Sequence, residues 1–104
     1  MANVIHLTDQ NFHEVISTST GNAIVDFWAP WCGPCRMLGR TLDGLSEERS
    51  DITIYKVNVD ECENIAAEYN VSSIPLLLYF KNGKLINQSV GNITVREIIN
   101  NCNL

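Results

Sequence analysis

The chain alternates short apolar, β-branched runs with stretches whose apolar residues recur at helical spacing, and no internal repeat, low-complexity tract or linker interrupts it. "NVIHL", residues 3–7, reads as a short strand, and Thr8 is placed to cap a helix carrying Phe12, Val15 and Ile16 on one stripe. "NAIVDFWAP", residues 22–30, is apolar on both faces, as a central parallel strand should be. A long helix is predicted from about Gly33, with Leu38, Leu42 and Leu45 on one stripe and Pro34 in the first turn, where a missing N–H costs nothing. "ITIYKVNVD", residues 52–60, is a third strand, and Asp60 with Glu63 resembles a capping arrangement for a short helix bearing Ile65, Ala66 and Tyr69. "LLLYF" and "KLINQSV" are strands joined through Lys81, Asn82 and Gly83; Asn-Gly signals a hairpin, so the two should be antiparallel. Thr94 and Glu97 form a capping box for a closing helix whose apolar face is Val95, Ile98, Ile99 and Cys102. The resulting order, β-α-β-α-β-α-β-β-α, is of the α/β class.

A chain of 104 residues is expected to be a single domain over 1–104, long enough to bury roughly two thirds of the surface its unfolded form exposes. The net charge is −5 and the seven Lys and Arg residues are scattered, which argues against nucleic acid as a partner, since phosphate binding needs clustered cations. "MANVIHLTDQ" has neither a basic leader nor a long apolar segment, and no later stretch approaches the roughly 20 apolar residues of a membrane helix. The expectation is a cytoplasmic protein with no membrane association. Four unevenly spaced cysteines are too few for a disulfide scaffold, and a Cys-x-x-Cys pair then points to redox or metal chemistry.

That pair is Cys32 and Cys35, at the first turn of the predicted long helix. Residues three apart share a helix face, so the sulfurs come close enough for a disulfide. The ring closed is small and restrains the unfolded chain little, so the bond can be made and broken without unfolding the domain. Unpaired N–H groups and the macrodipole at a helix start stabilise a thiolate, which favours Cys32 as the attacking sulfur. Exchange through a mixed disulfide needs a second thiol to resolve it, and Cys35 is placed one turn inward for that role. Asp26, an acid inside an apolar strand, has two readings. As a desolvated carboxylate of raised pKa it would accept the proton of Cys35, directly or through water; otherwise it is a capped or salt-bridged aspartate that tolerates its position. Structural zinc is the competing use of Cys-x-x-Cys, but it wants four ligands, and Cys62, Cys102, His6 and His13 are isolated in sequence.

At "FWAPWCGPCRM" the chain resembles the thioredoxin family, and the resemblance runs nearly end to end: the acid in "VDFW", then "VNVDE", "SIP" followed by "FKNG", and Gly91. It implies a thioredoxin fold, a five-stranded mixed β-sheet flanked by four α-helices, with Cys32 as nucleophile and Cys35 as resolving thiol. It further implies a cis Pro75 facing the disulfide, a substrate strand pairing with the backbone at Ile74, and a flat docking surface of Trp31, Gly33, Pro34 and Gly91. Trp28 would pack under the site held by Asp60, and Lys56 would lie near Asp26 and tune its charge. Beside these stand plainer readings, a core aromatic for Trp28 and a solvated strand lysine for Lys56. The implied function is a protein-disulfide reductase with no bound cofactor, its redox-active group the Cys32–Cys35 disulfide. It would act as a monomer, be re-reduced by thioredoxin reductase, an NADPH-dependent flavoprotein, and pass electrons to oxidised client proteins. Gly33 and Pro34 add no charge to favour the reduced form, which fits a reductant. A disulfide oxidase or isomerase, and a binding module without turnover, are the alternatives.

Three departures from the family pattern stand out. Arg36 and Arg40 replace a common lysine and a helix-kinking proline, with Gly39 and Gly44 weakening the helix instead. Leu76 follows Pro75 where threonine is common, which would make the docking surface more apolar. Cys62 is read as a small buried hydrophobe or a regulatory thiol on the rim, Cys102 as packing, and His6 and His13 as surface residues without partners.

Overall fold

The computed structural model describes residues 4–104. Its elements run β1 (Val4–His6), α1 (Phe12–Thr18), β2 (Asn22–Trp28), α2 (Gly33–Glu48), β3 (Ile52–Asn58), α3 (Glu63–Glu68), β4 (Leu76–Lys81), β5 (Lys84–Val90) and α4 (Val95–Asn101). The order is the one predicted; Asn3, at the start of the expected first strand, lies outside the described residues. The strands form one mixed sheet in the order β1-β3-β2-β4-β5, with β1, β3 and β2 parallel and β4 and β5 antiparallel.

Both faces of β2 are buried, which explains why its residues are apolar on both sides apart from Asn22 and Asp26. Ala23, Val25 and Phe27 pack with Phe12 and Ile16 of α1 and Ile65 of α3. Ile24, on the other face, joins Leu38, Leu42 and Leu45 of α2 and Ile98 of α4. Asp26 follows Ile24 by two residues, and the strand period therefore aims it at α2. The helix itself runs unbroken from Gly33 to Glu48 through Gly39, Arg40 and Gly44.

The hairpin and the last helix follow their signals. Asn82 and Gly83 take φ of 51° and 81°, as a two-residue turn of that type requires. Gly83 also has no room for a side chain, since a Cβ there would lie 3.0 Å from the Ser17 carbonyl oxygen. Thr94 and Glu97 make the reciprocal capping box. Of the face predicted for α4, Ile98 and Cys102 are buried, Ile99 is half-buried and Val95 is exposed.

Two predicted caps are placed differently. Thr8 does not cap α1: its hydroxyl and the Asn11 side chain bond each other's backbone N–H in a turn that precedes the helix, and Asn11 is the N-cap residue. Asp60 does not cap α3 either. Cys62 stands at that N-cap without capping it through its side chain, and the helix-start amides are met by Asp9, whose carboxylate accepts from Ile65 N at 3.0 Å and Asn64 N at 3.4 Å. The parallel pairing of β1 with β3 carries the loop after β1 to that helix start.

Candidate active site

Cys32 is the N-cap residue of α2, with extended backbone (φ −93°, ψ 111°), and Pro34 sits in the first turn. Its sulfur accepts a hydrogen bond from the Cys35 amide at 3.2 Å, one of the donors a helix start leaves free. Cys32 and Cys35 are joined by a disulfide with a Cα–Cα distance of 5.2 Å, inside the normal span. Cys32 is the more accessible of the two, 6% against 2%, and both pack with Ala29 against Trp28, Val59 and Ile74.

Opposite the helix start, the Ile74–Pro75 peptide is cis. The Pro75 carbonyl accepts from Gly91 N at 2.8 Å, so two of the expected docking residues are tied together. Within the described residues Ile74 makes no main-chain hydrogen bond, which leaves its N–H and C=O free for an added strand. Trp31 is 68% exposed, Pro34 is exposed, and Gly33, Ile74 and Gly91 are half-buried.

The loop between β2 and α2 is held from two sides. Trp31 Nε1 donates to Asp60 Oδ2 at 3.0 Å, and Arg36 Nη1 donates to the Pro30 carbonyl at 3.1 Å. The first bond corrects an expectation: Asp60 holds Trp31, not Trp28, whose Nε1 is buried without a partner. Exposed Trp31 lies beside the turn after β3, within reach of the carboxylate, whereas the Trp28 ring lies inward, in edge contact with His6 (centroids 6.4 Å). Nothing in the sequence pointed to the Arg36 contact, since six residues separate the partners.

Asp26 is fully buried and neither carboxylate oxygen has a hydrogen-bond partner, so the reading of a capped or salt-bridged aspartate does not hold. Burial raises its pKa to about 7, opposed by the ammonium of Lys56 and assisted by the charge of Asp43. Lys56 is Asp26's neighbour across the sheet, and its Nζ stands 5.3 Å from the Trp28 ring centroid. It is half-buried, not a solvated strand lysine. A Cβ on Gly39 would come within 3.1 Å of that Nζ, so the missing side chain at 39 leaves space for the lysine head. Cys35 and Gly39 are one turn apart on the same face of α2, which places the inner sulfur, the lysine and the buried acid in one layer between helix and sheet.

The other cysteines sit apart. Cys62 is buried, its thiol directed at the Leu7 carbonyl, and burial raises its pKa. Cys102 is buried among α2 and α4 residues with its pKa pushed up to about 11. Both are poor thiolates. Leu76 is 5% exposed and packs in the core, so it does not make the docking surface more apolar as expected. His13 has a partner after all, Glu68 Oε1 at 2.9 Å, made when α1 and α3 pack on the same face.

Over residues 3–103 the chain matches the Thioredoxin family. The chain belongs to the thioredoxin family. A thioredoxin of Griffithsia pacifica is 40% identical over 98 residues, covering 93% of this chain and 90% of that one. One of Haemophilus influenzae is 40% identical over 101 residues, 96% of this chain and 94% of the relative. A chloroplastic M-type thioredoxin of Spinacia oleracea is 43% identical over 86 residues, 82% of this chain and 48% of the relative. With its five-stranded mixed sheet, four helices and redox-active cysteine pair, the protein has the thioredoxin fold and is a protein-disulfide oxidoreductase. No helix among the described residues is long and apolar enough to cross a membrane.

Proposed function

We propose that the protein runs in the reducing direction on client protein disulfides, in a cytoplasmic setting and as a monomer. The observation that carries this is the cysteine pair itself: Cys32 caps α2 with the Cys35 amide on its sulfur, and no charged residue lies between the two to favour the thiolate further. A client strand docks on the free backbone of Ile74, flanked by Trp31, Gly33, Pro34, Pro75 and Gly91. The Cys32 thiolate attacks one client sulfur, forming a mixed disulfide and releasing the other as a thiolate. Cys35 then attacks the Cys32 sulfur, which frees the second client thiolate and leaves the intramolecular disulfide. Asp26, in the same layer as Cys35, takes up the proton that Cys35 loses, through a short relay because it touches no donor directly. No bound cofactor is needed; thioredoxin reductase, an NADPH-dependent flavoprotein, returns two electrons to the pair.

Insulin-disulfide reduction with thioredoxin reductase and NADPH tests the proposal. The native chain turns over, Cys32→Ser is inactive, and Cys35→Ser accumulates covalent client adducts. Normal turnover by Cys35→Ser would end the resolving role. A redox titration placing the pair well above the cytosolic glutathione pool would favour an oxidase or isomerase instead.

A further inference from the structure

A solvent-open pocket of about 130 Å³ lies between the turn after α3 and strands β4 and β5, near Ile74, and the chemistry above does not use it. Its walls are fixed. α3 ends with Asn70 in the left-handed region (φ 54°), where Val71 N–H donates to the Ala66 carbonyl at 2.9 Å and Asn70 N–H to that of Ala67 at 3.1 Å, the paired bonds of a Schellman ending. On the other side Leu76 faces Val90 and Leu78 faces Gln88 in the antiparallel ladder, so Gln88 and Val90 project on the same face of the sheet as α1 and α3, beside the end of α3. Leu76, almost wholly buried, closes the floor from the core side, and Asn70, Ser72, Ser73 and Gln88, all exposed, supply the polar groups. None of those four side chains makes a hydrogen bond within the described residues, and no charged residue lines the cavity. From Ser72 to Ile74 the main chain is also unpaired, so the cavity opens beside a free stretch of backbone.

We propose that this cavity is a specificity subsite for a carboxamide side chain, Asn or Gln, of the client strand docked on Ile74; the proposal rests on the docking described under Proposed function. The pocket has room for several waters, and so for one such side chain. Two hydroxyls and two amides offer both donors and acceptors, which a carboxamide matches and an aliphatic side chain does not. A leucine entering would strip water from four polar groups and return no bonds, and a charged side chain would find no counter-charge. Ser72 lies two residues before Ile74, so the client residue concerned lies a few positions from the attacked cysteine.

The test is the rate at which reduced Cys35→Ser protein forms mixed disulfides with single-cysteine peptides activated as disulfides, with Gln, Leu or Glu placed in turn at each position flanking the cysteine. At one position Gln should react about tenfold faster than Leu or Glu. Ser72→Leu with Gln88→Leu should bring that ratio to near one, and Ser72→Ala with Gln88→Ala, which removes the polar atoms without filling the space, should do the same. Equal rates for all three residues at every position, or a preference that survives both double substitutions, would overturn the subsite while leaving Cys32 attack intact. Failure to form a mixed disulfide with any peptide would overturn both.

Discussion

Asp26→Asn isolates the free energy of keeping a carboxylate where burial is complete and no donor reaches it. The folded protein holds the Asp26 proton with a pKa of about 7, against 3.8 for the exposed group. Below the lower value both states are protonated and the carboxyl costs nothing by titration. As pH rises from there the unfolded chain ionises first, so stability falls until Asp26 ionises in the folded state as well, and above neutrality the penalty is complete. Converted at about 1.4 kcal/mol per tenfold change in proton affinity, the gap is about 4 kcal/mol. Asparagine keeps the shape and cannot ionise. Urea unfolding of oxidised native and Asp26→Asn proteins should therefore show the variant gaining about 4 kcal/mol relative to native between about pH 3.5 and pH 8.5. At roughly 1–3 kcal/mol per molar urea, the midpoint difference changes by more than about 1 M. A stability difference that stays flat across this range, or one that shrinks as pH rises, would refute the reasoning.

Other groups give separate tests. Lys56→Met removes the cation that opposes burial and should move the Asp26 carboxyl titration, followed by NMR, to higher pH; a downward move would contradict the electrostatics. Gly44→Ala meets nothing within 4 Å and should stabilise α2 by about 1 kcal/mol in chemical denaturation. Gly39→Ala should gain less, the difference being the cost of displacing the flexible end of Lys56; an equal gain would show that the lysine head does not fill that space. Asp9→Ala should cost about 1 kcal/mol by leaving the start of α3 uncapped, and an unchanged unfolding midpoint would show that water caps it as well.

What the sequence made legible is what local rules govern. Two-sided apolar character marked β2 as central, Asn82-Gly83 marked the hairpin, and Thr94 with Glu97 marked the start of α4, because each signal is complete within a few residues. The acid in the apolar run was visible in the same way, and so was the cysteine spacing. Contacts that join distant segments were not. Asp9 caps a helix that begins 54 positions later, between Asp9 and Glu63, a pairing that exists only once β1 lies beside β3. Asp60 had a local role to offer, as a cap, but the exposed indole of Trp31 takes the carboxylate instead. Gly39 looked like a weak point of the helix when read locally, whereas its missing side chain is the space that Lys56 Nζ occupies. Leu76, placed on the docking surface by its position after Pro75, turns inward because it is the first residue of β4 and faces the core.

Unequal sulfurs are required: the one at the start of α2, which accepts from the Cys35 amide, should ionise more readily than its partner inside. Alkylation of the reduced protein by iodoacetamide, followed by peptide mapping across pH, measures this directly. Cys32 should react well ahead of Cys35, Cys62 and Cys102, and should keep its rate at pH values below those at which free cysteine, ionising near about 8.5, has lost its own. Cys32 reacting no faster than free cysteine, with the same dependence on pH, would contradict the account.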